Sequence, residues 1–238
     1  MEEVLKLLNE DNSVQENLQI LNEQLKGKIV FSTSFGIEDQ VITNEIFSNK
    51  LENIEVFTLD TGRLFPETYD VWDKSNLKYG NKIKPFYPEA VTIEKYVLDN
   101  GINGFYNSVD LRKECCNIRK VQPLNRALNG ANVWITGLRA EQSQNRQGMK
   151  LVEWDEAHQL FRFNPLLNWT TEEVVEYLQK KGVPYNTLHH KGFISIGCAS
   201  FHTRRDGALC TTAIAPRRFF CVIRSRFERS FTTSASRS

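Results

Sequence analysis

Charge imbalance is almost absent from this 238-residue chain: 30 lysines and arginines face 29 acidic residues, a formal net charge of +1. Generic binding of nucleic acid needs a one-sided basic surface, so the composition argues against a nucleic-acid partner and makes any anion site a local one. Long apolar runs are absent too. No stretch approaches the roughly 18 uninterrupted apolar residues of a membrane span, and the start, Met1-Glu2-Glu3-Val4-Leu5-Lys6, is acidic where a secretory signal is basic and then apolar. These features place the chain in the cytoplasm with no membrane partner. Cysteine is scarce and odd in number, at five. In a cytosolic chain such a set reads as metal-binding or catalytic before it reads as a disulfide framework. Internal repeats are missing as well, which sets aside repeat architectures. With 40% hydrophobic content, the chain fits one α/β domain or one domain with appendages.

Runs rich in β-branched and aromatic residues recur at Lys28 to Phe31, Ile54 to Leu59, Lys82 to Tyr87, Val133 to Thr136 and Leu160 to Phe163. Helical patterns lie between several of them, and the alternation predicts a mostly parallel twisted sheet with flanking helices, Rossmann-like in class. Val41-Ile42 with Ile46-Phe47 gives a helical face after the first strand, and Leu64 to Tyr79 gives another after the second. A helix over Thr171 to Lys180 is marked by Thr170 or Thr171 as cap, Glu172 and Glu173 at its positive end, Lys180 and Lys181 at its negative end, and Gly182 as stop. Ligands of such a sheet bind beyond the carboxyl ends of the strands. The composition then changes. All fifteen lysines lie in residues 1 to 191, whereas residues 204 to 238 hold eight of the fifteen arginines and no lysine. With little core-forming pattern, this stretch reads as a basic, poorly ordered tail.

The adjacent pair Cys115-Cys116, in Leu111-Arg112-Lys113-Glu114-Cys115-Cys116-Asn117-Ile118-Arg119-Lys120, sits among charges and is poor core material. Neighbouring cysteines rarely close a disulfide without strain. Two thiolates can bind different corners of an iron–sulfur cluster while nearby cations offset its negative charge. A cubane takes four cysteines. Cys198 supplies a third, but Phe201 stands where a Cys-x-x-Cys would place the fourth.

Three strand ends carry polar turns. In Phe31-Ser32-Thr33-Ser34-Phe35-Gly36-Ile37-Glu38-Asp39, hydroxyls, backbone N–H groups and a helix N-terminus suit a phosphate or sulfate cradle, although with only one glycine the bare pattern favours an ordinary capped turn. In Leu59-Asp60-Thr61-Gly62-Arg63-Leu64-Phe65-Pro66-Glu67-Thr68, Asp60 and Thr61 suit a ribose or base edge, Arg63 an anion, and Pro66 the first turn of a helix. After the strand ending at Thr136, Arg139 and Arg146 flank Gln142 and Ser143, and guanidinium forks suit bidentate recognition of phosphate and sulfate oxygens.

The strings Phe31 to Asp39, Leu59 to Tyr69, Lys113 to Leu124, Thr136 to Ser143 and Gly192 to Cys198 together resemble those of the assimilatory sulfonucleotide reductases, in the same order and over most of residues 25 to 200. The resemblance implies a fold of the adenine-nucleotide α-hydrolase type and an oxidoreductase that cleaves adenylyl sulfate to sulfite and AMP during sulfate assimilation and cysteine biosynthesis. The tandem cysteines resemble the branch that carries a [4Fe-4S] cluster and uses adenylyl sulfate rather than its 3'-phosphorylated form. Implied in the same way are Cys115, Cys116 and Cys198 as cluster ligands and Lys120 as the lysine between cluster and substrate. The nucleotide would be held by Ser32, Thr33, Ser34, Phe35, Gly36, Asp39, Asp60, Thr61, Gly62, Arg63, Arg139, Gln142, Ser143 and Arg146. In the family mechanism a thiolate attacks the sulfur of adenylyl sulfate, AMP leaves, and thioredoxin or glutaredoxin releases sulfite. The organisation expected is an N-terminal helical segment over 1–25, a nucleotide-binding reductase domain over 26–200 and an anomalous tail over 201–238, with homo-oligomer formation left open.

The chain departs from the family at and beyond residue 200. Phe201 replaces the fourth ligand, which puts cluster occupancy in doubt, and the tail as written lacks the Glu-Cys-Gly-Leu-His that holds the nucleophile. A frameshift or fusion explains both losses together with the composition change. Cys210 and Cys221 have no family context. The expectation is a protein that binds its nucleotide and is inactive in turnover as written. Three alternatives stay open: an adenylating enzyme of the ATP-pyrophosphatase type, although Phe35-Gly36 departs from its Ser-Gly-Gly-x-Asp-Ser loop; a non-catalytic nucleotide- or cluster-binding relative; and a zinc site built from the three cysteines with His189, His190 or His202.

Overall fold

The computed structural model describes residues 1–80, 82–142, 148–193 and 196–199. Among the described residues, six strands form one sheet in the order β3-β2-β1-β4-β6-β5: β1 (Lys28–Thr33), β2 (Ile54–Leu59), β3 (Lys84–Phe86), β4 (Ala131–Ile135), β5 (Val152–Asp155) and β6 (Leu160–Phe163). All neighbouring pairs are parallel except β5 with β6. The helices are α1 (Glu2–Leu5), α2 (Val14–Gln24), α3 (Ile37–Ser48), α4 (Pro66–Tyr79), α5 (Ala90–Asn100), α6 (Val109–Cys116), α7 (Gln122–Leu128) and α8 (Thr171–Lys180). Among the described residues, no helix is long and apolar enough to cross a membrane.

β1 lies at the centre and is buried on both faces, as its unbroken run Ile29-Val30-Phe31 requires. Ile29 and Phe31 join Val133 and Ile135 of β4 in a core covered by α2, α3 and α8. On the opposite face Val30, Phe57 and Trp134 meet Leu124, Ala127 and Leu128 of α7. The first 25 residues share the larger core through Leu5, Leu8, Val14, Leu18, Leu21 and Leu25. A third, smaller cluster of Tyr96, Phe105, Cys115 and Ile118 lies under α5 and α6.

The chain runs from β1 to β2 and β3 on one side, then returns to place β4 on the other side of β1. The connections therefore diverge between β1 and β4, and a crevice opens there at the carboxyl ends of the strands. Beyond α6 the helix widens into one π-type turn, Asn117–Val121, before α7 resumes. Such a turn inserts an extra residue and is concentrated at functional sites.

β2, β6 and α8 have the bounds that the sequence pattern predicts, and Pro66 opens α4 at its first position with Phe65 as N-cap. β3 is narrower than the expected Lys82 to Tyr87. β5 has no counterpart in the sequence reading. It alternates Val152 and Trp154 with Glu153 and Asp155, and those acids are neutralised across the hairpin by buried Arg162, at 2.5 Å and 3.2 Å.

α8 begins with a capping box: Thr170 accepts the Glu173 N–H at 3.2 Å, and Glu173 accepts the Thr170 N–H at 2.7 Å. Thr170→Ala removes one half of that exchange and is expected to cost about 0.5–2 kcal/mol of unfolding free energy. Urea denaturation followed by circular dichroism checks it, and an unchanged midpoint would mean that the box contributes nothing.

Candidate active site

Three turns meet at the crevice. The turn after β1 passes through Phe35, whose φ of 61° is unusual for a bulky residue and whose buried ring stacks on Trp72 at 5.5 Å. Ser32 and Thr33 of this turn are buried and Ser34 is exposed, and all three hydroxyls have a partner in the protein. Ser32 Oγ accepts from Trp134 Nε1 at 2.9 Å, Thr33 Oγ1 accepts the Phe35 N–H at 3.1 Å, and Ser34 donates to Asp39 Oδ2 through N at 2.6 Å and Oγ at 2.8 Å. The expected hydroxyl cradle is thus engaged within the protein. What the turn leaves open is the first turn of α3, where Gly36 is the N-cap and supplies no capping side chain, so backbone N–H groups there are donors for a ligand.

The loop after β4 comes down onto that helix. A Cβ at Gly137 would stand 2.2 Å from Asp39 Oδ1 and 3.3 Å from the Asp39 nitrogen, so only glycine allows the approach. Arg139, which the sequence reading assigns to the phosphosulfate, is buried and bonded to the protein. Its guanidinium reaches Glu38 at 2.9 Å, Glu141 at 2.6 Å, the Trp169 carbonyl at 3.0 Å and Thr171 Oγ1 at 2.9 Å. Gln142 adds a donor to the same Glu38 oxygen at 2.8 Å. The arginine thereby ties α3, the β4 loop and the start of α8 together. Ser143 and Arg146 lie outside the described residues.

The turn after β2 connects this region to the thiols. Asp60 Oδ1 accepts the Gly62 N–H and the Tyr69 hydroxyl, both at 2.8 Å. Thr61 is bonded on two sides: its hydroxyl stands 3.4 Å from Cys198 Sγ, and its carbonyl accepts Arg119 Nη1 at 2.6 Å. Gly62 has φ +67° and lies beside the same guanidinium. Arg63 lies over the Phe105 ring at 5.0 Å and bonds Asn103 at 3.1 Å, which directs it toward α5 and α6.

Cys115, Cys116 and Cys198 are free thiols. Burial pushes the Cys115 thiol up, opposed by Arg119, and does the same to Cys116, opposed by Lys120; each of the two also senses Cys198 electrostatically. The donor chemistry fits three corners of a cubane: three convergent thiols with cations at hand to favour the thiolate. The fourth position, Phe201, lies outside the described residues. No group of three or more His, Cys, Asp or Glu side chains among the described residues closes round a single ion. A cubane does not need that, because each cysteine binds its own iron; zinc would. His189, one of the histidines in the zinc alternative, is instead turned onto the Phe193 carbonyl at 2.8 Å.

Sequence reasoning missed Glu38, Arg119, Tyr69 and Gly137. Arg119 had a signal, since it stands four residues after Cys115 as Lys120 stands four after Cys116, a spacing that shares a helix face. Gly137 had none beyond its place directly after a strand.

A mostly parallel sheet whose strand-end turns at the switch point adjoin three thiols defines an α/β fold of the adenine-nucleotide α-hydrolase type. The phosphoadenosine phosphosulfate reductase domain matches residues 28–203, and the chain belongs to that family. The adenosine 5'-phosphosulfate reductase of Rhizobium meliloti (strain 1021) is 48% identical over 192 residues, covering 81% of this chain and 69% of that protein. The crystal structure of phosphoadenylyl-sulfate reductase from Candida auris, a phosphate complex, superposes with a TM-score of 0.70 at 28% identity, covering 84% of this chain and 95% of its own. Yeast FAD synthetase in complex with FAD shares the fold alone, with a TM-score of 0.53 and 16% identity over 83% of this chain and 64% of its own. The family match stops at residue 203, where the arginine-rich stretch begins.

Two outcomes follow from these contacts. Arg139→Met leaves the largely shielded Glu38, 15% exposed, without its cation and is expected to lower the unfolding free energy of the ligand-free protein by about 2–4 kcal/mol. Urea denaturation reads this directly, and an unchanged midpoint would show the guanidinium to be unneeded by the fold and free for a ligand. Burial pushes the Asp39 carboxyl up from 3.8 to about 7, against the bonds from Ser34. Between those values the folded state holds a proton that the unfolded state has lost, so this group's contribution to stability falls as pH rises from about 4 to about 7. Asp39→Asn removes the dependence: the stability of the variant minus that of the parent should increase across that window. A constant or falling difference would contradict the assignment.

Proposed function

We propose that this chain binds adenylyl sulfate across the carboxyl ends of β1, β2 and β4 and belongs to a thiol-dependent reduction of that substrate to sulfite and AMP in the cytoplasm, with thioredoxin or glutaredoxin as reductant. One observation carries the reading: Thr61 joins the nucleotide-side turn to the thiol site, with Cys198 on its hydroxyl and Arg119 on its carbonyl. Relatives named adenosine 5'-phosphosulfate reductase support the substrate.

The residues divide the work. The entry of α3 and the turn that carries Asp60 and Thr61 hold the nucleotide from two sides and orient it. Lys120 and Arg119 supply positive charge beside the thiols, which lets an anionic nucleophile approach an anionic phosphosulfate. Cys115, Cys116 and Cys198 are the residues that would hold a [4Fe-4S] cluster, whose role when bound is electrostatic and structural. In the covalent step a thiolate bonds to the sulfur of adenylyl sulfate, and the sulfur–oxygen bond breaks with its electron pair leaving on AMP. A dithiol then attacks the protein sulfur of the thiosulfonate, expels sulfite and ends as a disulfide, which supplies the two electrons.

The sequence holds two thiols outside the ligand set, Cys210 and Cys221, and neither stands in the family's nucleophile motif. Expressed as written, the chain is expected to bind AMP and adenylyl sulfate yet release no sulfite with thioredoxin, because orientation without an attacking thiolate gives no covalent route. Joining residues 1 to 197 to a family-type C-terminus carrying Cys-x-x-Cys and the terminal cysteine should restore turnover. An anaerobic sulfite-release assay on both proteins decides. Robust turnover by the chain as written would make Cys210 or Cys221 the nucleophile, and failure of nucleotide binding in both would remove the function.

A further inference from the structure

His189 lies in the short 3-10 turn Thr187–Lys191. That turn is fastened to the entry of α4: Asn186 Nδ2 donates to Thr68 Oγ1 at 3.2 Å, Lys191 pairs with Glu67 at 3.1 Å, and Phe193 meets Phe65 edge to face at 5.7 Å. The ring Nδ1 stands 2.8 Å from the Phe193 carbonyl oxygen. A carbonyl only accepts, so the ring proton is on Nδ1 and Nε2 presents a lone pair. That nitrogen is buried and has no hydrogen-bond partner among the described residues. An unsatisfied buried acceptor costs free energy, so a fixed imidazole of this kind is poised for a donor from outside the described residues.

The surroundings say what kind of donor. The Glu38 carboxylate acts on the imidazole electrostatically, and burial pulls the ring below the ordinary histidine range, which keeps it neutral. A lone pair beside a carboxylate repels phosphate and sulfate oxygens and attracts N–H and O–H groups. The opposite preference holds at the thiols, where Arg119 and Lys120 supply positive charge. An adenine nucleotide carries both kinds of group, an anionic end and a nucleoside end with ribose hydroxyls and an exocyclic amine.

We infer that His189 is a specificity-determining residue of the nucleotide site, with Nε2 accepting a hydrogen bond from the nucleoside, so that this end of the ligand lies toward Glu38 and His189 and the anionic end toward Lys120 and the thiols. The assignment rests on the nucleotide reading above and goes further by orienting the ligand.

Calorimetric titration of the full chain with AMP, 2'-deoxy-AMP, 3'-deoxy-AMP and purine riboside 5'-monophosphate tests it. In the parent, the analogue that lacks the contacting donor should bind about tenfold more weakly than AMP. His189→Asn keeps a donor for the Phe193 carbonyl but withdraws the Nε2 acceptor; it should bind AMP about tenfold more weakly and lose that discrimination. His189→Gln, which restores an acceptor near the Nε2 position, should recover part of it. Which analogue carries the penalty separates a ribose hydroxyl from the amine. If the asparagine variant discriminates as the parent does, a water completes the imidazole and the assignment is overturned. If the parent binds none of the four, the nucleotide reading itself falls, and the orientation with it.

Discussion

A single methyl group at position 137 would stand 2.2 Å from Asp39 Oδ1. The loop after β4 can therefore lie on the first turn of α3 only because its second residue past the strand has no side chain. Much of the site depends on this approach. It brings Arg139 to Glu38, and the guanidinium then reaches Thr171 at the entry of α8. Two helices, α3 and α8, and the ends of β1 and β4 are thereby held in one relation. The buried pair costs desolvation of both charges, and its geometry explains why it persists: five donors of one planar group are spread over two carboxylates, a hydroxyl and a carbonyl.

The second fixed relation is between the β2 turn and the thiols. Arg119 emerges from a π-type turn, is buried, and reaches the Thr61 carbonyl at 2.6 Å while it also bonds Cys115. Thr61 in turn contacts Cys198. Residues more than 50 positions apart in sequence are linked through one threonine, so movement of the β2 turn and of the thiol site is coupled. A ligand that presses on Gly62 presses on the same guanidinium.

Much of the scaffold was legible in the sequence because its signals are local. β2 and β6 are short apolar runs bounded by polar turns, α8 has its caps and charges in order, and Pro66 marks the start of α4. β5 was not legible, because Glu153 and Asp155 look like loop residues until Arg162 is placed opposite them. The turns were located from the sequence, but the direction of their side chains was not. Ser32, Thr33 and Ser34 read as a row of free hydroxyls, yet Trp134, the Phe35 amide and Asp39 occupy them. Arg139 read as an anion ligand, and its bonds to a carboxylate a hundred residues away in sequence have no local signature. Residue type tells which bonds a side chain makes; only the fold tells with whom. The same limit hid His189, whose role depends on an absent partner rather than on a pattern.

In the proposed arrangement the ligand crosses the carboxyl ends of β1 and β4 and is ordered by charge, nucleoside toward Glu38 and anion toward the thiols. An anaerobic crystal structure of the full chain with AMP tests it most directly. The account predicts the ribose and base against the first turn of α3 and the His189 turn, with the phosphate on the side of Thr61 and Lys120. A nucleotide bound with its phosphate against Glu38, or bound elsewhere on the surface with the crevice closed by Arg139 and its partners, would contradict it.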